Sequence, residues 1–335
     1  MGNKNVFNAD ASSGIVRYYR LGRHALLTAF NILQIKKGDI VLVPAFICRD
    51  LLASIHAVGA IPAFYELDEG LKPVNLPFIV GVRAVIAVNY FGFPQNLIPF
   101  REYCQTSGAT LIEDNAHGFL SCDETGTLLG SRGDIGFFSI RKTFELPDGA
   151  MLMINDSKFI ARLPTQLSPR KESLSLGLRI KSGLSWLQRK SGINFLMTGR
   201  YIARLIRYLR TGYSIMPLAP ENEFEMPAVP APHAYLFKVL PGIEQEREIN
   251  RRRTLYYKMH KHFASLDIQP VFDSLPVGTS PYCYPFYAAK ETAAKVVQKA
   301  NGMGLDCTYW PDLPSTIEAD APFHYQSLLI INFLC

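Results

Sequence analysis

Ala109-Thr-Leu-Ile-Glu-Asp-Asn-Ala-His117 decides how the rest of the chain is read: a short apolar run stops abruptly at two carboxylates, an amide and an imidazole. A run of this length, bounded by polar residues, reads as a buried strand. Working outward, Ile98 to Ser107 has helical spacing, while Ala84-Val-Ile-Ala-Val88 and Ile135-Gly-Phe-Phe-Ser139 read as further strands. Farther out lie a helix from Gly22 to Leu33, closed by Lys36-Lys-Gly-Asp39, and a strand Ile40-Val-Leu-Val43 stopped by Pro44. A helix from Leu51 to Val58 and strands Ile61 to Tyr65 and Ala150 to Ile154 complete the series. Strands alternating with helices predict an α/β fold, a mainly parallel, doubly wound sheet with helices on both faces. Ligands of such sheets bind beyond the carboxyl ends of the strands.

After Asn155 the pattern changes to long helical stretches and a Pro-rich linker, Met216 to Pro232. Val239 to His262 reads as a long polar helix, Tyr282 to Ala288 and Asp306 to Tyr309 as strands, and Glu291 to Asn301 as a helix. The expected division is a large domain over 1–225, with 156–225 a basic helical insertion and linker, and a small α+β domain over 226–335.

The 335 residues are 48% hydrophobic and 19% charged, values of an ordinary globular chain that exclude a disordered or fibrous one. No run of about 18 uncharged apolar residues exists, so no spanning helix is expected. The amino-terminal residues lack the apolar stretch of a signal peptide. Six cysteines without a CxxC pair predict a reduced, cytoplasmic protein with no metal site. Net charge is +6, yet residues 157–213 alone carry +11 and the remainder −5. The basic residues are not spaced as a nucleic-acid motif requires, so no nucleic acid is expected as partner.

Three strand-end groups carry candidate chemistry. Asp114 and His117 follow the strand quoted first; alone they read better as a helix cap and a packed imidazole. Ser139 and Lys142 follow the next strand, where a Lys between Ile140 and Phe144 can be partly desolvated and nucleophilic; alone, Arg141-Lys142 reads better as a solvated pair in a loop. Gly22-Arg23-His24 opens a helix, whose free N–H groups and dipole favour an anion, although most glycines at a helix start are merely caps. Taken together, an anion site, a carboxylate and a lysine match the phosphate, ring nitrogen and aldehyde of pyridoxal phosphate.

At this point the chain resembles the DegT/DnrJ/StrS-type sugar aminotransferases, fold-type I pyridoxal-phosphate enzymes. The matching stretches are Leu21-Gly-Arg-His-Ala-Leu26, Lys37-Gly-Asp-Ile-Val-Leu-Val-Pro-Ala45, Tyr90-Phe-Gly-Phe-Pro94, Ile112-Glu-Asp-Asn-Ala-His117, and Phe138-Ser-Ile-Arg-Lys-Thr143 with Asp148-Gly149. Tyr235 to Arg253 and Thr308-Tyr-Trp-Pro-Asp-Leu-Pro314 match more weakly. The resemblance implies that Lys142 carries the cofactor, that Asp114 partners its ring nitrogen, and that His117 lies beside the ring. It implies further that Gly22, Arg23, His24 and Ser139 surround the phosphate. It also implies a homodimer that moves an amino group, with glutamate as donor, to a nucleotide-linked keto sugar for polysaccharide or secondary-metabolite synthesis. The chain departs from the family where Arg23 replaces a Ser or Thr. It departs again in the loop from Ser139 to Lys142, which is two residues shorter, and where Cys48 replaces a ring-stacking aromatic. These departures motivate two alternatives: a relative without transaminase activity that serves as a binding or scaffold protein, or a pyridoxal-phosphate enzyme acting on a non-sugar amine. Residues 199–210 set apolar residues on one face and Arg200, Arg204, Arg207 and Arg210 largely on the other. An inward-packed helix with a solvated cationic face is favoured there over contact with an anionic membrane surface.

Overall fold

The computed structural model describes residues 15–177, 179–180, 206, 209–212, 219–303 and 305–333. Seven strands form the larger sheet: β1 (Ile15–Tyr19), β2 (Ile40–Pro44), β3 (Ile61–Tyr65), β4 (Val82–Val88), β5 (Thr110–Asn115), β6 (Ile135–Phe138) and β7 (Ala150–Ile154), in the order β1-β7-β6-β5-β4-β2-β3. Strands β3, β2, β4, β5 and β6 pair in parallel, whereas β7 runs antiparallel to both β6 and β1. β4, β5, β6 and β7 are buried along nearly their whole length, which explains why they read as unbroken apolar runs.

Helix α1 (Gly22–Ile32) lies against β6 and β7 through Ala25, Leu26, Ala29 and Phe30. Helix α2 (Leu52–Ala57) covers β3, and α3 (Ile98–Ser107) lies against β4 and β5. α3 has Pro99 in its first turn and ends on Gly108 at φ +73°, the usual left-handed stop. The chain leaves β2 for β3 on one side, then returns to place β4 on the other. The loops after β2 and β4 therefore diverge and leave a crevice between them.

The second sheet is antiparallel, with β8 (Gln269–Pro270), β9 (Cys283–Tyr287), β10 (Asp306–Tyr309) and β11 (Leu328–Asn332) in the order β10-β11-β9-β8. It is covered by the helices Gln245–Phe263 and Lys290–Gly302. The expected helix from Val239 begins only at Gln245, because Pro241-Gly242 diverts the preceding residues into a separate turn. Strands β1, β8 and β11 are additions to the sequence reading. Among the described residues no helix is long and apolar enough to cross a membrane. Most of 199–210, and with it the basic-helix expectation, lies outside the described residues.

Candidate active site

Alternation along β5 separates two neighbouring acids. Successive side chains of a strand point to opposite faces, so Glu113 and Asp114 enter different surroundings. The Glu113 carboxylate is wholly buried and accepts from the Arg132 guanidinium at 2.6 and 2.9 Å, from Asn89 Nδ2 at 2.8 Å, and from the Arg132 and Gly133 N–H groups at 2.9 and 3.2 Å. Asp114 faces a cleft of about 670 Å³, open mouth included, at the carboxyl ends of the parallel strands. Its Oδ1 accepts one bond, from the Ala116 N–H at 2.8 Å. Burial pushes its pKa up to about 6, against the opposing pull of that N–H and of Lys142.

His117 lies flat between two rings, Tyr282 at 4.5 Å and Phe91 at 5.6 Å, each within 4° of parallel. Its Nδ1 accepts from the Phe91 N–H at 3.4 Å, and its Nε2 lies 3.1 Å from Lys142 Nζ. Burial, then the Lys142 charge, drives the imidazole pKa well below its usual value, so the ring is neutral. Phe91 is held at φ +55° by this bond and by its carbonyl, which accepts from the Tyr282 N–H at 2.8 Å. Such a conformation persists only where its surroundings over-determine it. Gly92 follows at φ +87°, with the Ser280 carbonyl 2.7 Å from where a Cβ would stand. A side chain there would displace the segment that carries Tyr282.

Lys142 closes the turn Ile140–Lys142 that follows β6, and Ser139 begins it. The next carbonyl, of Thr143, accepts at 2.7 Å from Arg252, a buried guanidinium of the helix Gln245–Phe263 that also donates to the Tyr282 carbonyl at 3.2 Å and to Glu248 at 2.7 Å. The lysine turn and the stacked Tyr282 are thus tied to one side chain.

Also on the cleft, α1 starts on Leu21 with no capping side chain. Arg23 Nη2 stands 3.7 Å from Asp50 Oδ2, while its Nη1 is buried without an acceptor. Gly22, Arg23, Asp114, His117, Ser139 and Lys142 all line this cleft. His24 does not: its Nε2 lies 2.8 Å from the Pro227 carbonyl, and its N–H donates to Leu21 within the first helical turn. Two residues along a helix rotate a side chain by roughly 200°, which turns His24 away from whatever Gly22 faces.

Sequence reasoning passed over Asp50, Arg141 and Trp310 as lining groups. Trp310, brought in by β10, packs edge-on against Phe91 at 4.9 Å and His117 at 5.4 Å. Its signal was the stretch Thr308 to Pro314. Cys48 also lines the cleft, and burial pushes its thiol pKa far up, leaving a protonated, apolar side chain.

Known proteins share this frame. Over 150 residues the chain is 30% identical to a UDP-N-acetyl-3-dehydro-alpha-D-glucosamine 3-aminotransferase of Acidithiobacillus ferrooxidans, covering 42% of this chain and 40% of that one. It is 30% identical over 146 residues to the GDP-perosamine synthase of Vibrio cholerae, again covering 42% and 40%. The matched stretch therefore spans well under half of each relative. Among solved structures, the aminotransferase TlmJ from Streptoalloteichus hindustanus superposes with a TM-score of 0.64 at 19% identity, over 99% of this chain and 85% of that one. A GDP-4-keto-6-deoxymannose-3-dehydratase with a trapped PLP-glutamate geminal diamine gives 0.63 at 16% identity, over 98% and 86%. Residues 21–198, just over half of the chain, match the family model described as the DegT/DnrJ/EryC1/StrS aminotransferase family, and the chain belongs to that family.

Proposed function

We propose that this chain is a pyridoxal-phosphate-dependent aminotransferase that takes an amino group from glutamate and delivers it to a nucleotide-linked keto sugar, in polysaccharide or secondary-metabolite synthesis. The observation that carries the reading is the convergence of Lys142 Nζ, 3.1 Å from a neutral His117, with a buried Asp114 and an unsatisfied Arg23 in one cleft. The printed functions of the two sequence relatives, both nucleotide-sugar enzymes, support the substrate class.

The donor set fits the cofactor. The orphaned Nη1 of Arg23 and the uncapped start of α1 suit a phosphate, with Ser139 nearby. Asp114 suits a protonated ring nitrogen, and Lys142 would bond the aldehyde carbon. When bound, the ring supplies an electron sink for the carbanion formed at the substrate carbon.

The chain's own groups do the remainder. Asp114, ionised beside a cation, keeps the proton on the ring nitrogen. Lys142 Nζ would hold the proton taken from the substrate carbon and pass it to the cofactor's aldehyde carbon. His117, fixed between Phe91 and Tyr282, orients Nζ without carrying charge itself. Trp310, with Phe91 behind it, walls the cleft against water. His24, by its contact with Pro227, holds the linker on the phosphate turn and lies outside the binding set.

We place the enzyme in the cytoplasm as a homodimer, following the free cysteines and the family resemblance. The division into 1–225 and 226–335 is kept as a proposal supported by the two separate sheets. The test is an absorbance spectrum with added pyridoxal phosphate, beside Lys142→Ala. A band near roughly 400–430 nm in the parent, bleached by L-glutamate and missing from the variant, is expected. No band at saturating cofactor would overturn the reading.

A further inference from the structure

We propose that Arg141 recognises the α-carboxylate of the amino donor and so restricts the donor to α-amino acids; the inference rests on the aminotransferase reading above. Arg141 lines the same cleft as Lys142 and Asp114. Its backbone N–H donates to the Gly149 carbonyl at 3.2 Å, which fixes the residue in the turn. Its side chain, half-buried, ends in a guanidinium whose Nε is shut off from water and has no acceptor. Elsewhere the guanidinium groups drawn out of water have carboxylate partners: Arg132 has Glu113, Arg170 has Asp148, Arg252 has Glu248, and Arg49, whose Nε is also buried without an acceptor, has Glu318 through Nη2. A charged donor desolvated without an acceptor is unfavourable, and such a group persists where a ligand completes it.

The ligand's chemistry follows from what Arg141 is and where it stands. Nε and one Nη of a guanidinium form a planar fork that fits the two oxygens of a carboxylate. Consecutive Cα atoms are about 3.8 Å apart, so Arg141 and Lys142 work on one small volume. In an α-amino acid the reacting nitrogen and the carboxylate share one carbon, so an amine presented at Lys142 brings its carboxylate within reach of Arg141. The diphosphate of a nucleotide sugar is separated from the keto carbon by the sugar ring and does not meet that condition. The cofactor phosphate has a cation of its own in Arg23, which carries an unsatisfied Nη1.

Arg141→Gln and Arg141→Lys, each reconstituted with pyridoxal phosphate, test the assignment. Cofactor affinity is read from the absorbance band, and affinity for 2-oxoglutarate, the keto form of the donor, from titration calorimetry. Half-saturation of band bleaching is compared for L-glutamate and for ethylamine, which lacks a carboxylate. Arg141→Gln is expected to weaken 2-oxoglutarate and L-glutamate by roughly 10- to 100-fold, to keep cofactor affinity within about twofold, and to lose the parent's preference for L-glutamate over ethylamine. Should Arg141→Gln fail to hold the cofactor, Arg141→Lys carries the test, with an expected weakening of at least about fivefold because a point charge replaces the fork. Parent-like affinity for 2-oxoglutarate in a cofactor-loaded variant overturns the assignment, as does a variant that loses UDP while keeping 2-oxoglutarate. Absence of the band from the parent overturns this inference and the aminotransferase reading together, whereas a band with unchanged carboxylate affinity overturns this inference alone.

Discussion

Two clusters of charge stand back to back on β5, and they are finished to different degrees. Behind the strand, Glu113, Arg132 and Asn89 satisfy one another almost completely, with the Glu113 carboxylate taking five bonds. In front, Asp114 has one bond, Arg23 and Arg141 each keep a buried donor without an acceptor, and Lys142 meets only a neutral imidazole. One cluster is complete as folded; the other has its charges in place for something the chain does not contain. A buried polar network that satisfies itself holds a structure together, and one that does not marks where a ligand enters.

The largest expected effect falls on the finished cluster. Glu113→Ala takes from a half-buried Arg132 its closest carboxylate, leaving it Asn89, Gln95 and the more distant Asp123, and is expected to lower stability by about 3–5 kcal/mol in a urea titration. A loss under 1 kcal/mol would mean that the network is dispensable. The front cluster is expected to respond in the opposite direction. With a folded pKa raised to about 6 from 3.8, Asp114 binds its proton more tightly in the folded state. Its ionisation therefore costs folding stability as pH rises through this window, by up to about 3 kcal/mol above it. Asp114→Asn should stabilise the cofactor-free protein at pH 8, leave it nearly unchanged at pH 4, and abolish cofactor binding. Equal urea midpoints for parent and variant at pH 8 would contradict that sign.

The aromatic bracket sharpens the comparison at smaller scale. Tyr282→Leu removes one face of the His117 stack, a loss of about 1 kcal/mol beyond buried area, and should loosen the Lys142 turn enough to shift the cofactor band. Tyr282→Phe keeps the ring and loses only the bond that Asn332 donates to its hydroxyl at 3.1 Å, so its effect should stay near 0.5–1 kcal/mol with the band unmoved.

How much of this could be read from the chain depended on whether neighbours in sequence are neighbours in space. The central strands were legible because burial on both faces forces uninterrupted apolar residues, and the carboxyl-end rule then pointed to Asp114, His117, Ser139 and Lys142. β11, Leu328-Leu-Ile-Ile-Asn332, is as apolar, but a run so short has no period that separates strand from buried helix. β1, with an exposed Arg17 bond and tyrosines in place of aliphatics, joins the edge only through β7. Which of Glu113 and Asp114 faces the cleft depends on strand phase, and the turning away of His24 on helix rotation. Tyr282 and Trp310 reach His117 across more than 160 residues of chain, a juxtaposition that no local pattern encodes.

Everything proposed for the unfinished cluster depends on Lys142 carrying the cofactor. The most direct test loads the protein with pyridoxal phosphate, reduces it with borohydride so that the cofactor stays attached, and maps the label by peptide mass spectrometry. A single labelled lysine, Lys142, is expected in near-stoichiometric yield. Label on another lysine, or none on Lys142 at saturating cofactor, would contradict it.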